Sequence, residues 1–291
     1  MIFEDTYERP SWWRMNLRAV FGRAYPRIIG ANREPSWVFF ETFLPILAVA
    51  AYVFLYKALA VNSEHYSELI TFVVIGGAMT AYWMNVLWSM AAQLYWEKEM
   101  GNLELFMVAP VSRMAILGGM ALGGMFTSTV RAISTIMAGV LLFGVSLIII
   151  EPLMLIGIFV FTMLALYGMG MMFASLYMLW GREAWHMSIL LTEPIYLVSG
   201  FWFPIKGFYY MMGQPGFWIA IGASVIPITL GLDGMRQCLS GSTGELGLLP
   251  LWVELVVLII LTLVFLFLAR RSLAFMENLA KKEGRLTLKW Q

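Results

Sequence analysis

The sequence carries very little charge for its length. Of its 291 residues, 13% are charged and 60% are hydrophobic, whereas a soluble domain has about 25% charged residues. Such a chain could not cover its surface with polar groups in water, so the composition predicts a membrane protein. The net charge of +1 gives no indication that the chain binds nucleic acid.

Cysteine and histidine are scarce as well. Cys238 is the single cysteine, and the two histidines, His65 and His186, lie far apart, which excludes an intramolecular disulfide and a cysteine metal cluster. No predicted span contains the paired aspartates or the His-x4-His motif of intramembrane enzymes. A Gly-Lys pair does not occur, so there is no P-loop to hold the phosphates of ATP. We expect a chain that is not an enzyme and that binds no metal or cofactor itself.

Six stretches are long and apolar enough to cross a bilayer, since about 20 apolar residues cross ~30 Å of hydrocarbon. They are residues 37–56, 69–92, 118–148, 153–180, 186–205 and 251–268. Glu151 and Pro152 form the turn signal between the third and the fourth stretch. The predicted fold is an all-α polytopic membrane protein with six transmembrane helices, whose transmembrane domain covers residues 37–268.

Basic residues at both ends predict the orientation. Residues 1–36 contain six arginines, and residues 270–291 contain six lysines and arginines. Because basic flanks stay in the cytoplasm, we expect both the N-terminal segment and the tail 269–291 on the cytoplasmic side. The N-terminus is charged and aromatic, so no cleavable signal peptide is expected.

Residues 206–235 are also apolar, but Pro215 and Pro227 interrupt them. A seventh span here would put the termini on opposite sides, so we predict a re-entrant or interfacial hairpin on the outer side. Non-helical backbone at that depth must be buried in protein or line a wet cavity. Arg236 and Cys238, which follow the hairpin, are expected in an outer loop.

A charged segment, YWEKEMGNLELFMVAP (95–110), follows the second predicted span. Its glycine permits a chain break, GNLE is a weak capping box that starts a helix, and Pro110 ends that helix. We predict a short helix on the cytoplasmic membrane face, with Glu97, Glu99 and Glu104 turned towards water or a partner. An ordinary interfacial loop with solvated charges is the alternative.

The stretch EKEMGNLELFMVAPVSRMAILGG (97–119) resembles the signature region of the ABC-2 family of export permeases. That region contains a glutamate, then Gly-Thr-Leu-Glu and, after a short gap, Ala-Pro-Val-Ser-Arg; here Asn102 replaces the threonine. EPIYLVSGFWFPI (193–205) resembles the fifth span of the family, and VIPITLGLDGMR (225–236) resembles the segment before its last span. The three matches occur in the order of the family, and the resemblance as a whole covers essentially the whole chain.

The resemblance implies the permease subunit of an ABC exporter in a prokaryotic cytoplasmic membrane. Two permeases, identical or homologous, would pair with two ATPase subunits that bind the ATP and Mg. The charged segment would be the coupling helix, which docks on the ATPase. The expected coupling residues are Glu97, Glu99, Gly101, Asn102, Glu104, Leu105 and Pro110. Because the spans carry few charges, we expect a hydrophobic or amphipathic substrate, such as a drug, a lipid or a lipid-linked glycan.

The N-terminal segment SWWRMNLRAVFGRAYPRIIGANREPSW (11–37) resembles the amphipathic connecting helix of the family. A plain interfacial anchor is equally compatible with it. We expect its apolar side chains in the membrane and its arginines on lipid phosphates. The apolar set is Trp12, Trp13, Leu17, Val20 and Phe21, and the basic set is Arg14, Arg18 and Arg23.

Small residues, aromatic rings and a helix break meet at the end of the fifth predicted span, which favours an outer gate. The gate residues would be Ser199, Gly200, Phe201, Trp202, Phe203 and Pro204. An aromatic belt at the headgroups is the alternative.

Two features lie within the third predicted span. Arg131 is expected either to extend to the headgroups or to pair with Glu193. Gly119 and Gly123 form a Gly-x3-Gly pair, which favours close helix packing within a subunit.

An ion-coupled secondary transporter is the alternative function, because Glu41, Glu193 and Arg131 could carry protons. Such transporters usually contain internal repeats or broken helices in both halves, and the sequence shows no such symmetry.

Overall fold

The computed structural model describes residues 11–31, 33–60, 66–180, 184–240 and 247–282. These ranges contain helices, turns and loops but no β-strand, which confirms the predicted all-helical class. The helices are α1 (Trp12–Ala31), α2 (Pro35–Ala60), α3 (Tyr66–Met84), α4 (Gln93–Glu99), α5 (Leu103–Val108), α6 (Arg113–Phe143), α7 (Pro152–Trp180), α8 (Ala184–Val198), α9 (Lys206–Met212), α10 (Gln214–Ala223), α11 (Pro227–Ser240) and α12 (Leu251–Lys282). A π-helical turn, Asn85–Ala91, joins α3 to α4.

Five helical stretches among the described residues are long and apolar enough to cross a membrane. They are Val38–Leu59, Ser67–Glu99, Arg113–Phe143, Pro152–Leu176 and Leu251–Leu279. The pair α10 and α11 meets the same test but bends by 100°, so the number of candidate spans is five or six. The predicted hairpin 206–235 contains this bend, and whether the segment is re-entrant stays a prediction.

The fifth predicted span, residues 186–205, differs most from the structure. Its helix, α8, ends at Val198 and has 15 residues, which at 1.5 Å per residue is about 22 Å and less than the hydrocarbon thickness. The helix stops because Gly200 adopts a left-handed conformation with a φ of 70°, as glycine does at helix ends.

The core of the bundle lies between α7 and its neighbours α11 and α12. The helices approach closely at glycines: a Cβ added to Gly168 of α7 would lie 3.1 Å from the backbone nitrogen of Leu266 on α12. Gly231 of α11 likewise packs against Thr162 of α7, where an added Cβ would clash with the threonine side chain. Tight packing therefore fixes α11 and α12 relative to the middle of the bundle.

Large apolar side chains cover the outside of the bundle. On α2, Phe39, Phe43, Leu47 and Phe54 are all exposed. Burying one such side chain away from water is worth about 1.5–3 kcal/mol, so a whole belt of them would be unfavourable in an aqueous environment. Lipid is the solvent that suits this surface, which supports a multi-pass membrane protein.

Successive long helices run between two ends of the molecule. At one end, which we name the elbow end, α4 turns into α5, and Arg113 at the start of α6 meets Glu277 near the end of α12. At the other, the hairpin end, Ile150 donates a backbone hydrogen bond to the carbonyl of Cys238 in α11 (3.0 Å). The structure thus places the charged segment and the hairpin at opposite ends.

Candidate functional site

The charged segment forms a sharp elbow between α4 and α5. Gly101 adopts a φ of 79°, and the backbone N–H of Asn102 donates to the carbonyl of Glu97 (2.8 Å). This left-handed glycine ends α4 in the usual way for a helix C-terminus. The short helix α5 follows and ends before Ala109, whose extended ψ of 132° is the conformation expected before Pro110. The predicted short helix is present, six residues long.

Glu97 holds the elbow together, and it is not turned towards water as the sequence suggested. Its side chain is buried, with 4% of the residue exposed. The carboxylate accepts hydrogen bonds from Arg23 of α1, from Gln93 (3.0 Å) and from the Asn102 side chain (3.0 Å). The expectation of solvent exposure was wrong because α1 packs over this carboxylate. Asn102 likewise braces Glu97 rather than capping α5 with its side chain.

Helix α1 is clamped to the elbow by its arginines. Arg23 pairs with Glu97, and its guanidinium carbon lies 4.6 Å from the ring centre of Phe106 on α5. The prediction that Arg23 contacts lipid phosphate is therefore wrong. Arg27 donates to the side-chain oxygen of Gln93 (3.4 Å), and burial lowers the pKa of Arg27 from its ordinary value. Asn16 accepts a hydrogen bond from the backbone N–H of Ser112 (2.7 Å).

The close approach of α1 to α6 depends on glycine. A Cβ on Gly119 would lie 2.5 Å from the carbonyl oxygen of Val20, and one on Gly123 would lie 3.0 Å from that of Ala24. The Gly-x3-Gly pair therefore packs within the subunit, as predicted. Val20, expected in the membrane, instead packs against α6.

The outward face of α1 is an apolar stripe. Trp13, Leu17, Phe21 and Tyr25, spaced four residues apart, are each more than half exposed, and Trp12 lies beside them. The arginines that bind the elbow lie on the opposite, inward face. This arrangement, apolar outside and charged inside, suits a helix in contact with lipid. Arg14 and Arg18 are exposed, and their contact with phosphate stays a prediction.

The surface that the elbow exposes, which we name the tip, comprises Glu99, Gly101, Leu105, Val108 and Pro110. Leu105 and Val108 are 69% and 85% exposed. Two apolar side chains therefore lie exposed beside a carboxylate at this end of the bundle. The side chains of Leu103, Glu104 and Met107 lie outside the described part of the structure, so the predicted role of Glu104 is not tested there.

A groove of about 410 Å³ opens beside the tip, between the start of α1, the Ala109–Arg113 connection and α12. Trp12, Pro110 and Arg270 line it. On its wall, Arg113 donates to Glu277 Oε1 (2.6 Å). This ion pair ties the start of α6, directly after the elbow, to the last long helix.

The six predicted gate residues form a tightly packed joint at the hairpin end. Phe201 is fully buried and packs edge-on against Tyr196. Trp202 stacks on Tyr52 of α2, with ring centres 4.2 Å apart, and its carbonyl accepts a hydrogen bond from Tyr56. In the described residues these contacts lie within one chain, and the function as a gate stays a prediction.

Sequence reasoning missed the residue that organises this joint, Arg236. It was expected in an outer loop, but it is 1% exposed and donates to the carbonyls of Gly200 (2.6 Å), Phe72 (2.7 Å) and Phe201 (2.9 Å). Asp233, one helical turn earlier, was the available signal that this arginine is internal. Ser199 is also buried, and its hydroxyl lacks a hydrogen-bond partner among the described residues.

Arg131 pairs with Glu41 of α2, not with Glu193, which is exposed. The alternative of a pair with Glu193 is wrong because α2, rather than α8, packs beside this part of α6, and a pair with Glu41 was not among the alternatives. The pair neutralises two charges within candidate spans.

No protein-family model matches the chain, and no curated protein matches it significantly. Within the described ranges, no three His, Cys, Asp or Glu side chains lie close enough together to hold a metal ion. The site is therefore interpreted from its own geometry.

Proposed function

We propose that the chain is the membrane permease subunit of an ATP-driven ABC exporter. The elbow is the observation that carries the proposal. It exposes a partly apolar tip at one end of the bundle, and it is attached to α1, to the second span and to α12. A separate ATPase subunit, with ATP and Mg, would push on this tip, since the chain itself has no P-loop.

The bracing gives the tip a mechanical function. Glu97 fixes α4 to α1 through Arg23, and Asn102 fixes the start of α5 to the same carboxylate. Arg113 connects the far side of the elbow to α12 through Glu277. A force applied at Leu105 or Val108 would therefore move α1, the second span and α12 together rather than bend a loose loop.

The surface of the bundle suits a hydrophobic or amphipathic substrate. Exposed apolar residues dominate the outside of α2 and α12, and Arg131 is neutralised by Glu41. We propose a drug, a lipid or a lipid-linked glycan as the substrate, carried by a dimer of this chain or by this chain with a homologous permease.

An ion-coupled transporter is the second candidate, and the Glu41–Arg131 pair is the observation that favours it. A paired carboxylate inside candidate spans can exchange a proton with its surroundings. No described residue of the elbow would be needed for such a mechanism.

Reconstitution into vesicles separates the two functions. The chain is reconstituted alone or together with a candidate ABC-type ATPase, and export of a fluorescent lipid is measured. We expect export with ATP and both subunits, and none when the ATPase is left out. Transport by the permease alone, driven by a proton gradient, would contradict the proposal and support the alternative.

A further inference from the structure

Two carboxylates are buried together at the hairpin end, in the contact between α11 and α12. Asp233 and Glu254 are 2% and 0% exposed, and the Gln237 side chain lies between them. The Gln237 amide nitrogen lies 2.9 Å from Asp233 Oδ2, 3.3 Å from Glu254 Oε1 and 2.9 Å from the carbonyl oxygen of Leu249. One amide group thus connects both acids.

The two acids differ in their hydrogen bonds. Asp233 Oδ2 also accepts the backbone N–H of Leu248 (2.7 Å), which stabilises a charged carboxylate. Glu254 Oε2 is buried and has no hydrogen-bond partner among the described residues. It faces Gly234 and Ile158: a Cβ on Gly234 would lie 2.6 Å from Oε2. A charged oxygen in such surroundings costs several kcal/mol.

The charges around the pair support one negative charge rather than two. Arg236 lies one turn from Asp233 on α11, and the side of α7 that faces the pair contributes Ile158 and Thr162. Among the described residues, further titratable groups near this end of the bundle are Tyr56 on α2, which interacts with Arg236, and Cys238 on α11, which interacts with Glu254 and with Glu151 before α7; Glu68 lies on α3. Glu68 is partly exposed and Glu151 is exposed, so solvent screens both of them.

We propose that Asp233 and Glu254 form a proton-binding site that holds one proton for the pair and fastens α11 to α12. With the proton on Glu254, the pair carries one negative charge, which Arg236 balances. When the proton leaves, two like charges face each other across the helix contact, and the end of the hairpin is pushed away from the last span. This inference is independent of what the elbow binds.

Infrared spectroscopy of the full chain in lipid nanodiscs tests the proposal. In sodium-free buffer at neutral pH, the wild type is expected to show the carbonyl stretch of a protonated carboxyl group. E254Q removes that band. In D233N the band should disappear at a lower pH than in the wild type, because the neighbouring negative charge that favours the protonated form of Glu254 is gone. The exposed control E151Q keeps the band.

The outcomes separate the proposal from its rivals. A wild type without the band, or a band that persists in E254Q, overturns the site. A band in D233N that disappears at the same pH as in the wild type shows that burial alone holds the proton and overturns the sharing. Loss of the band on adding sodium ions would assign the site to a metal cation instead.

Stability against pH gives a second readout. The folded protein holds this proton at pH values at which the unfolded chain has released it. The thermal stability of the wild type should therefore fall as the pH rises. E254Q, which stays neutral, should lack this loss. Tryptophan fluorescence measures the melting temperatures of the wild type and of E254Q at each pH. Equal decreases of the two melting temperatures with rising pH would contradict the proposal.

Discussion

Removing the Glu97 carboxylate should lower the stability of the bundle, because this carboxylate holds α1 and the elbow together. E97A takes away the acceptor for Arg23, Gln93 and Asn102. A hydrogen bond to a charged group is worth about 1.5–3 kcal/mol, but Arg23 is 31% exposed, so solvent weakens its share to about 1 kcal/mol. The two amide donors bind the same charged carboxylate, so at about 1.5 kcal/mol for each of them the total loss is about 4 kcal/mol.

The single buried cysteine provides the assay. Cys238 is 0% exposed, so a thiol-reactive fluorescent dye reports unfolding when this side chain becomes accessible. For a chain of this size, 1 kcal/mol corresponds to about 2 °C in melting temperature, so E97A should melt about 8 °C below the wild type. E97Q, which keeps the shape and one acceptor oxygen, should lose about half as much.

The matched control is E99A, two residues away and exposed. A surface substitution of this kind changes stability by less than about 0.5 kcal/mol. An exchange of charges in R23E/E97R should recover part of the loss, since the two residues interact directly. If E97A and E99A melt within about 1 °C of each other, the carboxylate does not hold the elbow.

Three further substitutions test other contacts by the same melting assay. G119A should destabilise the protein because its Cβ would meet the Val20 carbonyl of α1. In the control G118A, the added Cβ has no atom within 4 Å, so it should stabilise the protein by about 0.5–1 kcal/mol. Equal effects of the two substitutions would contradict the α1–α6 packing. R131A should lower stability by leaving Glu41 unpaired, and the double variant E41A/R131A should recover it; a double variant worse than the single would count against the pair. R236M should cost more than about 3 kcal/mol, since three carbonyls lose their donor, and R236K should restore part of it; a wild-type melting temperature for R236M would refute its structural function.

Local patterns predicted the helices well where composition alone determines them. Stretches of apolar residues identified the long helices α2, α6, α7 and α12, and the glycine before Asn102 identified the break between α4 and α5. The fifth predicted span was harder to define, because the apolar stretch continues through Gly200 although the helix does not. Hydropathy does not detect a left-handed glycine inside an apolar segment.

Long-range pairings were the main failure of the sequence reasoning. Glu97 was assigned to water or a partner, Arg131 to the headgroups or to a pair with Glu193, and Arg236 to an outer loop. Their partners in the structure, Arg23, Glu41 and the carbonyls near Gly200, lie 35 or more residues away. Only the packing of α1, α2 and α11 against the bundle brings these groups together, and one sequence gives no signal for that packing.

Cross-linking from the tip tests most directly whether the elbow is the docking site of an ATPase. In a C238A background, a cysteine replaces Glu99 or Leu105 in the assembled complex, and a short cross-linker is added. The control places the cysteine at Met211, which is 82% exposed at the hairpin end. We expect covalent capture of the ATPase from positions 99 and 105 and none from position 211. An active complex in which neither tip position captures the ATPase would contradict the proposed coupling function of the elbow.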